Sequence, residues 1–304
     1  MLENGLLYEQ GYSVNINTPG DPLFYYFDYD ERSHNINMEF QHEHDFYEIH
    51  ILMDSRATHV IDGKIHALRK YDIVLLRPYL LHMTQYPEGP PHKRLIINFA
   101  IPAGIPGLES AYKNMLLPFS EEVPIYRLTG EPRSTVFDPL NAIFTLSHSD
   151  SLLNPVLVHT LFQQFLCALC QQQDKNSYVL EEAGSTAAQK IYSIAAYINS
   201  NYSSELSLDS IAAEFYTSPY YLSHQFKRVT GSTLTEYIQN TRVRKAQHLL
   251  VHTRLKISGI AEQCGFTSFS QFNRIFNKLA GMSPSAFRKQ QQAAPGAGPA
   301  LLSY

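Results

Sequence analysis

An internal repeat in the last third of the chain constrains the fold more strongly than any other sequence feature. The segment from residue 217 to 231 matches the segment from 267 to 281 at a constant spacing of 50 residues. The matched pairs are Thr217 and Thr267, Ser218 and Ser268, Leu222 and Phe272, Phe226 and Phe276, and Gly231 and Gly281. Self-similarity at a fixed period predicts two copies of one supersecondary unit.

Each copy is predicted to contain a short helix, a turn and a second helix. Ser218 and Ser268 are typical N-cap residues for the second helices. Gly231 and Gly281 are typical residues for ending them. Between the copies, apolar residues recur at helical spacing over residues 234–250, which predicts a single linking helix. A rigid link of this kind places two recognition helices in successive turns of a major groove, about 34 Å apart.

The second helix of each copy has an apolar face, which is predicted to point inward, and a polar or basic face. The polar face suits a major groove, because Lys and Arg contact phosphates while Arg, Asn, Gln and Ser contact base edges. The predicted DNA-binding residues are Tyr220, Ser223, His224, Lys227, Arg228, Ser270, Gln271, Asn273, Arg274 and Lys278. The alternatives are that Tyr220 covers the turn, that Ser223 is a bystander, and that Lys227, Arg228 and Lys278 form a solvated helix surface. Arg242 is predicted to hold the linking helix against its neighbours rather than to contact DNA.

The charge distribution also divides the chain into two different parts. The formal net charge of the whole chain is −4. Residues 187–292 carry 12 Lys and Arg against 5 Asp and Glu, whereas the rest of the chain carries 12 against 23. Ten of the 13 histidines lie before residue 187. Such asymmetry is typical of a nucleic-acid-binding module fused to an acidic domain.

Residues 22–101 are predicted to form β-structure. Short aromatic and β-branched runs alternate there with turn-forming pieces, a spacing typical of a sandwich or small barrel. The runs lie at residues 24–29, 46–52, 59–61, 73–76 and 95–99.

A helix with a broad apolar face is predicted over residues 152–170. That face either packs on the barrel or forms a helix–helix dimer seam, and the two alternatives are compatible. Cys167 and Cys170 on this helix are assigned to the core or the seam, because no second cysteine pair completes a zinc site.

Histidine and glutamate residues form a constellation in the β-region. His42, His44 and Glu48 alternate along one face of a predicted strand, and His50 extends that face. His82 follows another strand and a turn that contains proline. Three imidazoles and a carboxylate with open positions suit a divalent metal such as Fe, Mn, Ni or Zn. The same set alternatively forms a polar pocket wall for a small ligand, or consists of packing histidines with internal partners.

Other polar residues of the β-region are weaker candidates for a ligand pocket than this constellation. The secondary pocket candidates are Tyr25, Tyr47, Arg77 and Tyr79. His59, His66 and His92 are assigned to the surface or the core.

The chain from Ile194 to Arg288 resembles the DNA-binding domain of AraC/XylS-type transcription regulators. The more specific signature lies in residues 260–278 and 281–288, and residues 242–250 match the linking helix of that family. His42, His44, Glu48 and His82 resemble the two cupin motifs, and a cupin barrel is the usual sensor domain of such regulators. The resemblance implies a multidomain α+β fold. Its parts are an N-terminal cupin-like β-barrel with helices and a C-terminal all-α domain of two helix-turn-helix units joined by a linker helix.

The resemblance also implies a domain organisation. The expected domains are a cupin-like effector-binding and dimerisation domain (1–175), a linker (176–188), a double helix-turn-helix DNA-binding domain (189–290) and a disordered tail (291–304). The expected location is the cytoplasm, with the chain on the nucleoid when bound to DNA. The N-terminus lacks a secretory pattern, and no apolar run approaches about 18 residues, so no membrane partner is expected.

The implied function is ligand-responsive, sequence-specific transcription regulation rather than catalysis, with carbohydrate uptake or metabolism genes as targets. The implied partners are a double-stranded DNA operator, a small-molecule effector such as a sugar, a second copy of the chain, and RNA polymerase if the chain is an activator. No cofactor is expected to be required, and the one candidate cofactor is a divalent metal in the cupin-like pocket. The alternative functions are a metal-dependent cupin enzyme and a metal-sensing regulator, both built on the constellation defined above.

Overall fold

The computed structural model describes residues 5–32, 41–54, 56–89, 91–102, 104, 106–146, 148–179 and 186–293. Strands dominate these residues up to position 126, and helices dominate from position 130 onward. The multidomain α+β fold predicted from the sequence is therefore confirmed. None of the helices in the described part is long and apolar enough to cross a membrane.

The strands form two antiparallel sheets. In chain order they are β1 (Tyr12–Ile16), β2 (Phe24–Arg32), β3 (Tyr47–Leu52), β4 (Arg56–Ile61), β5 (Lys64–Arg69), β6 (Ile73–Leu76), β7 (His82–Gln85), β8 (His92–Ala100) and β9 (Ile125–Tyr126). The larger sheet has the order β1-β2-β8-β3-β6-β9, and the smaller sheet has the order β5-β4-β7. An isolated bridge between His42 and His82 connects the segment before β3 to the smaller sheet.

The prediction of a continuous strand through His42–Glu48 is wrong. The strand begins only at Tyr47, and residues 45–46 form a bend. The carbonyl oxygen of His44 accepts a hydrogen bond from the backbone N–H of Tyr79 at 2.8 Å, so it is used by a loop and not by a strand ladder. This loop contact diverts residues 42–46 from regular pairing while keeping them beside the sheet.

The helices of this part are α1 (Glu109–Met115), which lies between β8 and β9, and α2 (Gly130–Leu146) and α3 (Asn154–Gln171), which follow β9. The helix predicted over 152–170 is α3. Phe162, Phe165 and Leu166 on its inner face are fully buried in the main core of the β-domain, so packing on the barrel is confirmed. Cys167 is exposed on the outer face and therefore lies outside the core.

The C-terminal helices are α4 (Thr186–Ser200), α5 (Leu208–Glu214), α6 (Pro219–Thr230), α7 (Leu234–His252), α8 (Ile257–Gln263), α9 (Phe269–Ala280) and α10 (Pro284–Ala293). The predicted caps are confirmed. Ser218 and Ser268 cap α6 and α9 by accepting backbone N–H bonds, and Gly231 and Gly281 end them with φ of 78° and 69°. A positive φ is the conformation that glycine adopts without steric cost.

Two separate cores hold the repeated units. One contains Leu222 and Phe226 of α6, and the other contains Phe272 and Phe276 of α9. The helix α7 contributes to both cores, which confirms the predicted linking helix. Two predicted boundaries fall partly outside the described residues, which lack 180–185 within the linker and 294–304 within the tail. The helix α4 begins inside the linker range, and α10 extends to Ala293 inside the tail range.

Candidate effector pocket and DNA-binding surface

The four residues of the predicted constellation come together where the two sheets meet. One ligand atom from each of His42, His44, Glu48 and His82 lies within 4.8 Å of the others. Glu48 lies on β3, His82 begins β7, and the His42–His82 bridge brings the other two imidazoles between them. We call this group the His/Glu cluster.

Two imidazoles of the His/Glu cluster are oriented by backbone carbonyl oxygens. His44 Nδ1 lies 2.8 Å from the carbonyl oxygen of Phe46, and His82 Nδ1 lies 2.8 Å from that of Leu80. A carbonyl oxygen accepts only, so each Nδ1 must carry the proton. In the neutral His82 ring, Nε2 is then an acceptor aimed into the cluster, whereas His44 Nε2 lies within hydrogen-bond distance of the Glu48 carboxylate. Backbone carbonyls orient metal-ligating histidines in the same way.

The Nε2 atoms face the Glu48 carboxylate. His44 Nε2 is 3.1 Å from Glu48 Oε2, and His82 Nε2 is 3.8 Å from Glu48 Oε1. His82 Nε2 and His42 Nδ1 are buried without a hydrogen-bond partner. The cluster therefore brings a carboxylate and three imidazoles together and leaves two buried ring nitrogens without a hydrogen-bond partner.

Burial sets the charge of these groups. It lowers the pKa of His82 to about 4 and, together with the charge on His82, lowers the pKa of His42 well below its usual value. Burial raises the pKa of Glu48, but the hydrogen bond from His44 and the nearby imidazoles outweigh it and hold that pKa well below its usual range. At neutral pH an ionised carboxylate thus faces two neutral imidazoles. A metal ion or a hydroxyl donor from a ligand would compensate it.

Further buried polar residues lie next to the His/Glu cluster in the β-domain and form its polar extension. His50 Nε2 is 3.0 Å from the Tyr86 hydroxyl, and His59 Nδ1 is 2.9 Å from Thr84 Oγ1. Burial lowers the pKa of His50 to about 3 and that of His59 well below its usual value. The buried atoms here without a hydrogen-bond partner are His50 Nδ1, His59 Nε2, Arg94 Nε and Asn98 Oδ1.

The alternation of residues 42–50 predicts His50 on this face, whereas the sequence does not predict the other members of the extension. Because side chains alternate between the two faces of a strand, Arg94 and Asn98 of β8 could have been assigned to one face from the sequence. No local signal pairs β4 with β7, and that pairing is what brings His59 opposite Thr84. The assignment of His59 to surface or core therefore overlooked a buried polar residue beside the His/Glu cluster.

The secondary pocket candidates lie outside the His/Glu cluster and its polar extension. The Tyr25 hydroxyl is 2.6 Å from His159 Nδ1 on α3, and Tyr47 packs on Phe99 in the main core. The Arg77 residue is exposed. The Tyr79 hydroxyl is 2.9 Å from Nε2 of His248 on α7, so this tyrosine links the β-domain to the helical domain.

The predicted DNA-binding residues occupy α6 and α9, the second helix of each repeat. Nine of the ten are exposed, and Asn273 is half-buried. On α9, Phe272, Ile275 and Phe276 are buried on one side, and Arg274 is exposed on the other. Arg242 does not belong to this surface, because its guanidinium donates to the carbonyl oxygens of Tyr202 and Ser204 at 2.8 Å. It holds α7 in place, as predicted.

A β-domain with a polar interior joined to two linked helix-turn-helix units defines the class of ligand-responsive DNA-binding regulators. Comparison with known families supports this definition in both parts of the chain. Residues 24–106 match the AraC-like ligand-binding domain, and residues 211–290 match a helix-turn-helix domain. The chain belongs to the AraC/XylS-type family of transcription regulators, with an N-terminal cupin-like sensor domain.

Relatives with similar organisation are transcriptional activators. The activator RhaS of Escherichia coli O81 is 24% identical over 256 residues, which cover 82% of this chain and 87% of RhaS. The activator RhaR of Salmonella dublin is 26% identical over 262 residues, which cover 82% of this chain and 86% of RhaR. Among solved structures, the C-terminal domain of the response regulator AraT from Geobacillus stearothermophilus is 32% identical. The matched region covers 35% of this chain and 88% of that domain, and the TM-score is 0.34.

Proposed function

We propose that this chain activates genes of carbohydrate uptake or metabolism when a polar effector, of which a sugar is the favoured class, occupies the β-domain. The observation that carries the proposal is the His/Glu cluster, where a buried carboxylate meets imidazole nitrogens, two of which have no hydrogen-bond partner. Sugar hydroxyls both donate and accept hydrogen bonds, and the polar extension offers further partners for a polyhydroxylated ligand. RhaS and RhaR are named activators, which supports activation and contact with RNA polymerase. The proposed location is the cytoplasm, with the chain bound to operator DNA on the nucleoid.

A divalent metal is the second candidate occupant of the same site. Its support is the orientation of His44 and His82 by carbonyl oxygens, which directs their Nε2 atoms toward the Glu48 carboxylate. His42, His44, Glu48 and His82 would hold the ion, and an open position would remain for effector oxygens. With a metal bound, the chain would be a metal-sensing or metal-assisted regulator. Catalysis by the cluster is not favoured, because it leaves the duplicated helix-turn-helix units without a role.

A thermal-shift screen of the full chain tests both occupants. Monosaccharides and salts of Zn²⁺, Fe²⁺, Mn²⁺ and Ni²⁺ are added singly, and at least one is expected to raise the melting temperature. A ligand at about 100 times its Kd stabilises the folded state by about 2.7 kcal/mol. The rise is expected to disappear in Glu48→Gln and to persist in His148→Gln, whose histidine pairs with Glu9 at the surface.

The outcomes separate the two candidates. A sugar-dependent rise without bound metal supports the sugar, and stoichiometric metal by elemental analysis, absent from Glu48→Gln, supports the ion. If no compound raises the melting temperature of the wild-type chain, the proposed pocket is contradicted.

We propose further that two copies of the chain associate through the outer face of α3. Leu153, Val156 and Leu157 are 65%, 64% and 42% exposed on this face. The outer residues recur at alternating steps of four and three, which is the repeat of a two-helix seam. They are Leu153, Leu157, Thr160, Gln164 and Cys167.

Leu157→Glu is expected to weaken the dimer by about 10-fold or more, because a charge at an apolar seam is desolvated on association. The dimer dissociation constant is measured by sedimentation equilibrium. Leu108→Glu is the matched control, since Leu108 is 51% exposed but lies outside α3. Equal constants for Leu157→Glu and the wild type would exclude this face as the seam.

A further inference from the structure

Strand β8 carries two polar side chains into the interior of the β-domain. Side chains alternate along a strand, so consecutive residues lie on opposite faces. Ile97 and Phe99, on either side of Asn98, are buried in the main core together with α3. Asn98 and Arg94 therefore lie on the other face of the strand. Asn98 is paired directly with Glu48 of β3, so this is the face that carries the His/Glu cluster.

A chain of hydrogen-bonding groups places Arg94 beside that cluster. The Tyr86 hydroxyl forms a hydrogen bond with the Arg94 side chain and lies 3.0 Å from His50 Nε2. His50 is two residues from Glu48 on β3 and shares its face. The guanidinium of Arg94 therefore lies in the polar extension of the cluster, next to Tyr86.

The charge of Arg94 has no ion-pair partner within the described part of the chain. Asp30 of β2 lies directly opposite Arg94, but it pairs with Arg32 at 2.7 Å. Arg32 also holds Asp28, at 4.0 Å. The Nε atom of Arg94 is buried without a hydrogen-bond partner. Because a guanidinium stays charged at neutral pH, the interior contains a cation that none of the described carboxylates contacts.

Two carboxylates influence this charge from a greater distance. Burial lowers the pKa of Arg94, but Tyr86, Glu48 and Asp28 outweigh it and raise that pKa. Burial in turn raises the pKa of the Asp28 carboxyl. The interior therefore has an anionic end at Glu48 and a cationic end at Arg94. A ligand with an acid group is repelled at the first end and attracted at the second, which fixes its orientation.

The two ends differ in the ligand groups that satisfy them. At the cluster, a hydroxyl donates to the carboxylate and forms hydrogen bonds with the imidazoles. At Arg94, a hydroxyl forms a hydrogen bond but leaves the positive charge uncompensated, and a buried charge is costly unless it is paired. A carboxylate or a phosphate compensates the charge and fits the planar, two-pronged guanidinium. Asn98 Oδ1, which is buried without a partner, accepts from a further hydroxyl.

We propose that the effector is an anionic sugar, with its acid group on Arg94 and its hydroxyls on the His/Glu cluster. The proposal rests on the proposed function of the β-domain as the effector site and names the class of effector. Carboxylate and phosphate share the required chemistry, so sugar acids and sugar phosphates are its two sources. Arg94 is then the specificity-determining residue, because a neutral sugar leaves its buried charge unpaired.

The test compares ligands that differ in one group, by isothermal titration calorimetry with the full chain. Glucose is paired with glucuronate and glucose 6-phosphate, galactose is paired with galacturonate and galactose 6-phosphate, and glucuronamide serves as the uncharged isostere of glucuronate. At least one anionic sugar is expected to bind about 10-fold or more tightly than its neutral counterparts, because hydrogen bonds to charged groups are the stronger ones. A preference confined to the uronates identifies a carboxylate, and one confined to the 6-phosphates identifies a phosphate.

Variants connect this preference to Arg94. In Arg94→Gln, the anionic sugar is expected to bind no more tightly than its neutral parent, while the parent binds about as it does to the wild type. Arg94→Lys keeps the charge without the two-pronged geometry and is expected to retain part of the preference. Arg56→Gln is the matched control, because it removes the same charge from an exposed position of the same domain. It is expected to leave the preference unchanged.

The proposal is overturned if every neutral sugar binds the wild type as tightly as its anionic counterparts. It is also overturned if Arg94→Gln keeps the full preference. The comparison of ligands needs only the wild-type chain, so it decides the question even if Arg94→Gln fails to fold. Failure of the proposed function is distinguishable, because no sugar of either class would then bind the wild-type chain.

Discussion

Arg127→Met is expected to lower the free energy of unfolding of the sensor domain by about 3–5 kcal/mol, because it leaves a buried carboxylate without its counter-charge. Arg127 Nε and a terminal guanidinium nitrogen donate to the two oxygens of Asp72 at 2.8 and 2.6 Å. The Asp72 side chain is fully buried, and the Arg127 side chain is 15% exposed. The backbone N–H of Arg69 donates to the same carboxylate at 2.7 Å.

The measurement is chemical denaturation followed by circular dichroism. Arg56→Met is the matched control, since Arg56 is exposed at the start of β4 and is expected to cost little. The double variant Asp72→Asn/Arg127→Met is expected to recover part of the loss, because it removes the unpaired charge. A loss below about 1 kcal/mol for Arg127→Met would contradict a structural role for this pair.

Arg274→Ala is expected to weaken operator binding about 10- to 100-fold, equivalent to about 1–3 kcal/mol for a bidentate contact with a guanine edge. The exposed side of α9 presents Arg274 opposite the buried residues Phe272 and Phe276. The variant leaves that core intact, so its melting temperature is expected to match the wild type. Selected duplexes are also expected to lose preference at one base position.

Lys278→Ala is the comparison for this prediction, because Lys278 lies on the last turn of the same helix and is assigned to a phosphate. It is expected to weaken binding uniformly across sequences and to reduce the salt dependence by about one unit of slope. If Arg274→Ala retained the base preference of the wild type, Arg274 would not contact a base.

The helical domain was predictable because its signals are local. Ser218 and Ser268 cap the helices, and Gly231 and Gly281 end them within a few residues of the periodic apolar positions that form the two cores. The first unit packs with α4 and α7, and the second unit packs with α7 and α10, which are all helices close to it in the sequence. The repeat then supplies the same evidence twice.

The β-domain was less predictable, because its pairings are long-range. The short strand β7 carries His82 and Thr84 and has no apolar alternation, so it becomes a strand only through pairing with β4. The cluster residues were found from their spacing, although the strand assigned to His42 and His44 was wrong. Their convergence depends on the bridge to His82 instead.

The contact between the domains had no sequence signal. Glu43 and Lys245 are 202 positions apart, and each is an ordinary charged residue in its own segment. They meet only in the folded chain, in which Tyr192 of α4 also packs on the smaller sheet. The sequence therefore predicted the His/Glu cluster and the exposed faces of α6 and α9 as candidate sites, but not the contact between the domains.

Selection of duplexes from a random library by the full chain, followed by sequencing, tests the central claim of a double helix-turn-helix regulator most directly. We expect two half-sites for each copy of the chain, with centres about 10–10.5 base pairs apart, because α6 and α9 enter successive turns of the major groove. In Arg274→Ala, one half-site is expected to become degenerate while the other is retained. No enrichment over the starting library, or an enriched sequence that Arg274→Ala leaves unchanged, would contradict the account.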